Sequence, residues 1–354
     1  MKTTGYAAPS RTAPLAPFDF ERRELRPNDV AMEVLYCGVC HSDLHQSRND
    51  WGWSRFPVVP GHEILGKVIA VGAEVRRYKV GDHVAVGCIV DSCQDCDQCR
   101  KGFEQLCRKM PVQTYSDTER FSCEPTAPTY GGYSKHLVTR EEFVLRVPDG
   151  LDLSRAAPLL CAGITTYSPL RTWNVGPGSR VGVIGLGGLG HMAVKLASAM
   201  GADVTVLSRT GDKEADALRL GADRLLVSSD PEAMAKAASM FELIIDTVPV
   251  KHDINPYVPL LDIDGTLVVV GQIGPLDEPN TMPLLLGRRR IAGSPIGGIA
   301  ETQELLDFCA KAGVLPDVEM IRMDQINDAF ARLEKADVRY RFVIDMASLP
   351  AVAA

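Results

Sequence analysis

The chain has no apolar run approaching the roughly 20 residues that a membrane-spanning helix needs. Its first residues, Met1-Lys2-Thr3-Thr4-Gly5-Tyr6, lack the apolar core of a secretion signal, so the expected compartment is cytoplasmic. Positive charge is not in excess: 38 Lys and Arg stand against 45 Asp and Glu, a net charge of -7. A nucleic-acid-binding surface needs clustered cations, and the one basic run, Arg288-Arg289-Arg290, is short enough to be a solvated turn. There is no internal repeat and no low-complexity linker. The cysteines are not spread as a disulfide framework would be. Half of the ten fall between Cys88 and Cys107, and in a reducing compartment such clustering points to metal.

With 354 residues there is enough chain for two cores. The first part reads as β-rich: short apolar segments such as Asp29 to Tyr36, Gly66 to Gly72 and Gly81 to Val86 alternate with Gly, Pro and Asp. This resembles a partly open β-barrel more than a helical domain. A helical stretch starts near Ser154. Val181 to Ile184 reads as a buried parallel strand, followed by a glycine turn and a helix from His191 to Met200. Further strand–helix alternation at Val204 to Leu207, Leu243 to Asp246 and Thr266 to Gly271 argues for a doubly wound parallel sheet. From Gly298, a helix from Thr302 to Ala312 and a last strand from Tyr340 to Asp345 are expected to rejoin the first domain. The expected boundaries are 1–155, 156–297 and 298–354.

Between Tyr36 and Glu63 lie Cys40, His41, Ser42, Asp43, His45, His62 and Glu63. Thiol, imidazole, hydroxyl and carboxylate together can bind one zinc and leave a proton path beside it. Ser42 is close enough in sequence to Cys40 to reach a metal-bound oxygen, and His45 can pass a proton to solvent. Helix N-capping is the plainer role for Ser42, and simple exposure for His45. Cys93, Cys96, Cys99 and Cys107 form C-x2-C-x2-C-x7-C, which can close a structural tetrahedron around a second zinc. Closely spaced cysteines also hold iron–sulfur clusters. The seven-residue gap and the absence of a following proline favour zinc. Cys88 and Cys123 do not extend the spacing and read as ordinary thiols.

Gly185-Leu186-Gly187-Gly188-Leu189-Gly190 stands between a strand and a helix, the setting in which G-x-G-x-x-G cradles a dinucleotide pyrophosphate. The next strand ends in Ser208-Arg209-Thr210, with Lys213 close behind, where an NAD site would carry a carboxylate. Hydroxyls and cations there suit a 2′-phosphate, so NADP(H) is favoured over NAD(H). Asp212 in the same loop is the counter-argument. Trp51, Trp53 and Phe56 can line an apolar pocket or pack in a core. His41 either approaches a pyrophosphate or lies on the surface. His83, His136, His191 and His252 show no partner pattern.

These pieces, together with Leu160-Cys161-Ala162-Gly163-Ile164-Thr165-Thr166-Tyr167 and Asp337 to Asp345, resemble the zinc-dependent medium-chain alcohol dehydrogenases over nearly the whole chain. Within them the likeness is to the cinnamyl alcohol dehydrogenase branch and its bacterial broad-specificity NADPH-dependent aldehyde reductases. The resemblance implies an α/β protein with a GroES-like catalytic domain and a Rossmann domain. It implies a catalytic zinc on Cys40, His62 and Cys161 with Glu63 as an alternative fourth ligand, and Asp43 orienting His62. It makes the four-cysteine lobe the second, structural zinc. It matches Thr165, Ser208, Arg209, Lys213, Thr247, Gly271 and Ser294-Pro295-Ile296 to cofactor contacts. It also implies a homodimer joined near Ile291 to Gly298. Pro295 departs from the bulky residue usual in the branch, which bears on substrate range. The expected reaction is reversible reduction of an aldehyde to a primary alcohol, hydride passing from the nicotinamide to a zinc-polarised carbonyl. The alternatives are a zinc-independent quinone or enone reductase of the same fold and a non-enzymatic zinc or redox sensor.

Overall fold

The structure, a computed structural model, describes residues 1–121, 127–271 and 274–349. The chain divides into two compact units, Met1–Cys161 with Gly297–Ala354, and Ala162–Ile296.

The first unit is organised on the strand Asp29–Val39, most of whose residues are buried. Among the described residues it belongs to a seven-stranded sheet. Its neighbours are Ile64–Val71, His136–Arg140 and the C-terminal strand Arg341–Asp345, all antiparallel to it. Cys37 pairs with Ile344 on one side and Ile64 on the other, so this register brings Gly38 beside Glu63. Phe342, Val343 and Ile344 are each 0% exposed. Each such burial contributes about 1.5–3 kcal/mol relative to exposure, which anchors the end of the chain in this sheet. The core packs Val30, Met32, Val39, Ile64, Tyr133 and Ile344 together.

The second unit is a six-stranded sheet, counted among the described residues. In space its strands run Arg224–Val227, Asp203–Ser208, Arg180–Ile184, Phe241–Asp246, Leu261–Val269 and Arg290–Gly293. Every adjacent pair is parallel. In chain order this is 3-2-1-4-5-6, the doubly wound arrangement whose ligand crevice lies at the carboxyl ends of the strands. Val181, Val183, Ile244, Ile245, Leu267 and Val268 are fully buried, as a sheet covered on both faces requires.

The helix expected from His191 runs Gly190–Ala199, so it begins at the last glycine of the turn. The helix expected from Thr302 begins earlier, at Ile299, because Glu104 Oε2 accepts the Ile299 N–H at 3.0 Å. The last strand begins at Arg341 rather than Tyr340. No helix among the described residues is long and apolar enough to cross a membrane.

Candidate active site

The strand Asp29–Val39 ends directly before the helix His41–Arg48, and Cys40 is the residue between them. Cys40 is the N-cap, which corrects the N-cap reading of Ser42. Asp43, in the first turn, accepts the Cys40 N–H at 2.8 Å and so closes the helix start. Its other oxygen accepts from Gly61 N at 2.9 Å and lies 3.2 Å from His62 Nδ1. One fully buried carboxylate thus ties both ligand-bearing segments together.

Cys40, His62, Glu63 and Cys161 are all buried, and one donor atom from each lies within 4.8 Å of the others. The Cys40 and Cys161 sulfurs are 3.9 Å apart. Two sulfurs at tetrahedral positions around a zinc at about 2.3 Å would stand about 3.8 Å apart, so the spacing fits the ion. With Nδ1 turned to Asp43, the His62 ring has Nε2 left for a metal. Oε2 of Glu63 is buried without a hydrogen-bond partner, while Oε1 accepts from Arg341. Space for this carboxylate exists because residue 38 is glycine: a Cβ there would stand 1.9 Å from Glu63 Oε2.

Electrostatics match this geometry. The Cys40 thiol is held well below its usual range, first by its hydrogen bond with Cys161 and then by the charges of Arg341 and His62. Burial works to lower His62, but the Asp43 carboxylate outweighs it and raises the ring well above its ordinary value. Burial raises Glu63 to about 7, against the pull of Arg341.

Ser42 Oγ lies 3.7 Å from Cys40 Sγ. His45 is one turn further on, its Nδ1 2.8 Å from Asp50 Oδ2 and its ring 5.5 Å from that of Trp51. Trp53 is 47% exposed and stacks on Trp51, so it is not core. Phe56 packs against the first unit's core. His41 is half-buried, and burial lowers its pKa.

Cys93, Cys96, Cys99 and Cys107 form a second donor group, again within 4.8 Å. Cys93 and Cys99 sulfurs are 3.9 Å apart, and Cys96 and Cys99 sulfurs 3.5 Å. Four thiols and no open position suit a closed structural site. Cys88 stays outside this group, its sulfur 3.6 Å from the Leu160 carbonyl, and Cys123 lies outside the described residues.

In the second unit the glycine turn follows the strand Arg180–Ile184. Gly185 has φ +87, and a Cβ on Gly190 would stand 2.2 Å from the Gly185 carbonyl oxygen. Above Gly187 the space is open, with no atom within 4 Å of a Cβ built there. Such a cradle admits a phosphate at the N-terminus of the ten-residue helix Gly190–Ala199. Thr247 donates to the Ile184 carbonyl at 2.7 Å, and Gly271 packs beside Val248, so both border this turn. Ser208 ends the next strand, and Arg209 and Thr210 are exposed just beyond it. Arg209 forms no ion pair among the described residues, whereas Asp203 is bound to Arg224 at 2.6 Å. Asp212 accepts from Thr210. Ser294, Pro295 and Ile296 follow the edge strand Arg290–Gly293, with Ser294 N bonded to the Val269 carbonyl at 3.2 Å. Thr165 is buried on the helix Ala162–Thr172.

Sequence reasoning missed Arg341 and Tyr133 at the first site. Neither carries a local signal, because each meets the site through strand pairing. It gave no sign that His252 Nε2 lies 3.1 Å from Asp246 Oδ2.

Two family models match the chain. "Alcohol dehydrogenase GroES-like domain" matches residues 26–149 and "Zinc-binding dehydrogenase" residues 188–311. NADP-dependent alcohol dehydrogenase C 1 of Mycolicibacterium smegmatis is 55% identical over 98% of each chain. The 8-hydroxygeraniol dehydrogenase of Catharanthus roseus is 52% identical over 98% of this chain and 96% of its own. Among solved structures, a cinnamyl alcohol dehydrogenase of Sorghum bicolor superposes with a TM-score of 0.94 at 46% identity, covering 100% of both chains. The CAD of Helicobacter pylori complexed with NADP(H) superposes at 0.90 with 39% identity, covering 98% of this chain and 99% of that one. A two-unit oxidoreductase is what the fold and donor sets define. The chain belongs to the zinc-dependent medium-chain alcohol dehydrogenase family, whose members interconvert alcohols and carbonyl compounds.

Proposed function

We propose that the chain is an NADPH-dependent aldehyde reductase that also runs in reverse as a primary-alcohol dehydrogenase. The observation that carries this is the buried donor set of Cys40, His62, Cys161 and Glu63, gathered within 4.8 Å. Cys40, His62 and Cys161 would hold the catalytic zinc, and Glu63 would take a fourth position when the exchangeable ligand leaves. Bound there, zinc supplies Lewis acidity toward a substrate oxygen. NADP(H), named for the relatives above, supplies or accepts the hydride.

Asp43 holds His62 in the tautomer whose Nε2 faces the donor set. Ser42 passes a proton between the substrate oxygen and His45, and His45 delivers it to solvent, its ring steadied by Asp50 and Trp51. Gly187 and the helix start at Gly190 would receive the pyrophosphate, and Ser208, Arg209, Thr210 and Lys213 would bind the 2′-phosphate. Cys93, Cys96, Cys99 and Cys107 hold the structural zinc, whose binding folds a lobe with little apolar content.

The cytoplasm is the proposed compartment and a homodimer the proposed assembly. Support for the dimer comes from the edge strand Arg290–Gly293 and from Leu285 and Leu286 before it, 73% and 80% exposed. Aromatic and allylic aldehydes are the proposed substrate class, on the strength of the relatives' names. The test is NADPH oxidation with cinnamaldehyde by the parent enzyme and by Cys40→Ser. Turnover in the parent that Cys40→Ser abolishes is expected; equal turnover in both overturns the reading.

A further inference from the structure

Both oxygens of Asp43 are held, and the buried Tyr115 side chain also meets this carboxylate. Oδ1 takes Gly61 N and faces His62; Oδ2 takes Cys40 N and, at 3.2 Å, the hydroxyl of Tyr133. Tyr133 is 0% exposed. Its backbone belongs to a loop laced to the segment just before His62: Gly131 N donates to Val59 O at 2.8 Å, Gly132 N to Gly61 O at 2.8 Å and Tyr133 N to Pro60 O at 2.9 Å. The same loop is gripped from elsewhere by Arg22, whose side chain donates to Tyr130 O at 2.5 Å, Gly131 O at 2.8 Å, Ser134 Oγ at 2.8 Å and His136 O at 2.9 Å.

All four acceptors of Arg22 are neutral. Burying a cation against neutral oxygens is costly, so an ion pair is not what keeps it there. What a rigid guanidinium fork supplies is fixed geometry: it binds carbonyls of several residues at once and sets the bend of the loop. The strut therefore runs from Arg22 through residues 130–136 to the Tyr133 hydroxyl, and from there to Asp43.

We propose that Tyr133, held in place by Arg22, is a positioning residue for the metal centre of Cys40, His62 and Cys161. This rests on the zinc reading above. By binding Asp43 Oδ2, the hydroxyl resists turning of the carboxylate, which leaves Oδ1 aimed at His62 and Oδ2 at the Cys40 N–H. Without it, Cys40 and His62 lose a common fixed anchor, and the cost of ordering them falls on metal binding.

Tyr133→Phe removes one hydroxyl and keeps the ring. Zinc release from the purified holoenzyme to 4-(2-pyridylazo)resorcinol reads the effect, with the four-cysteine zinc as an internal reference and Cys40→Ser assigning the phases. Outer partners of metal ligands typically tune affinity 10–100-fold, so the catalytic phase is expected to quicken about 10-fold or more while the reference phase is unchanged. A shifted visible band in the cobalt-substituted variant, at unchanged thermal midpoint, is the second expected result. Unchanged release of the catalytic zinc, or equal quickening of both phases, overturns the proposal, the latter because it marks general loosening of the fold. A parent enzyme holding one zinc, fully retained in Cys40→Ser, sinks instead the zinc reading on which the proposal stands.

Discussion

Arg341 donates to Oε1 of Glu63 in an ion pair whose side chains are 2% and 0% exposed. Removing one partner of such a pair leaves the other charge buried and uncompensated, at a typical cost of about 3–5 kcal/mol. Urea unfolding of zinc-depleted Arg341→Met is expected to show a loss of that size. The double variant Glu63→Gln, Arg341→Met should recover most of it. Equal losses in the single and double variants would mean that the pair's charges do not interact.

The same pair sets a pH dependence. Burial raises Glu63 from 4.5 to about 7, with Arg341 pulling it down. A carboxyl with a raised folded pKa binds more protons folded than unfolded, so its stability contribution is complete below about 4.5 and lost as pH rises through the folded value. In the parent that loss is complete at about pH 8, one unit above the folded value. Without Arg341 the folded value moves higher, so zinc-free Arg341→Met should keep losing stability above about pH 8, where Glu63 in the parent contributes little further change. Parallel stability curves above about pH 8 would contradict this.

Arg209 is exposed at the end of the strand Asp203–Ser208, without an ion pair among the described residues. A charged hydrogen bond to a phosphate is worth about 1.5–3 kcal/mol, or roughly 10- to 100-fold in affinity. Arg209→Gln should raise the Kd for NADPH by about that factor and leave NADH within about twofold, as read by nucleotide fluorescence titration. Equal losses for both nucleotides would remove Arg209 from the 2′-phosphate site.

What was legible beforehand follows the range of the interactions. The four-cysteine lobe is local: its ligands fall within one short segment, and spacing alone defines a tetrahedron. The glycine turn was legible for the same reason, since strand, turn and helix are contiguous. Cys161 is different. It stands 121 residues after Cys40 with no spacing rule to connect them, and only family likeness pointed to it. Arg341 is 278 residues from Glu63, and an arginine in an apolar strand looks like any other until the sheet register is known. Tyr133 was visible only as part of a Gly-Gly turn. The N-cap alternative for Ser42 fails because Cys40, an unusual N-cap, takes that position, its own N–H bound by the Asp43 carboxylate.

Two glycines of the cofactor turn separate folding from binding. A Cβ on Gly190 would press into the Gly185 carbonyl at 2.2 Å, a backbone atom that cannot give way without moving the turn. Gly190→Ala should therefore lose both stability, by about 1–3 kcal/mol as overpacking does, and NADPH binding. Gly187 is the opposite case: no atom lies within 4 Å of its Cβ position, and its φ is not in the left-handed region. Gly187→Ala is expected to keep the parent's thermal midpoint and yet weaken NADPH severalfold, because the added methyl occupies space meant for the pyrophosphate. Differential scanning fluorimetry with and without NADPH reads both quantities on one sample. If Gly187→Ala bound NADPH like the parent, the pyrophosphate would have to sit elsewhere on the carboxyl edge of the sheet.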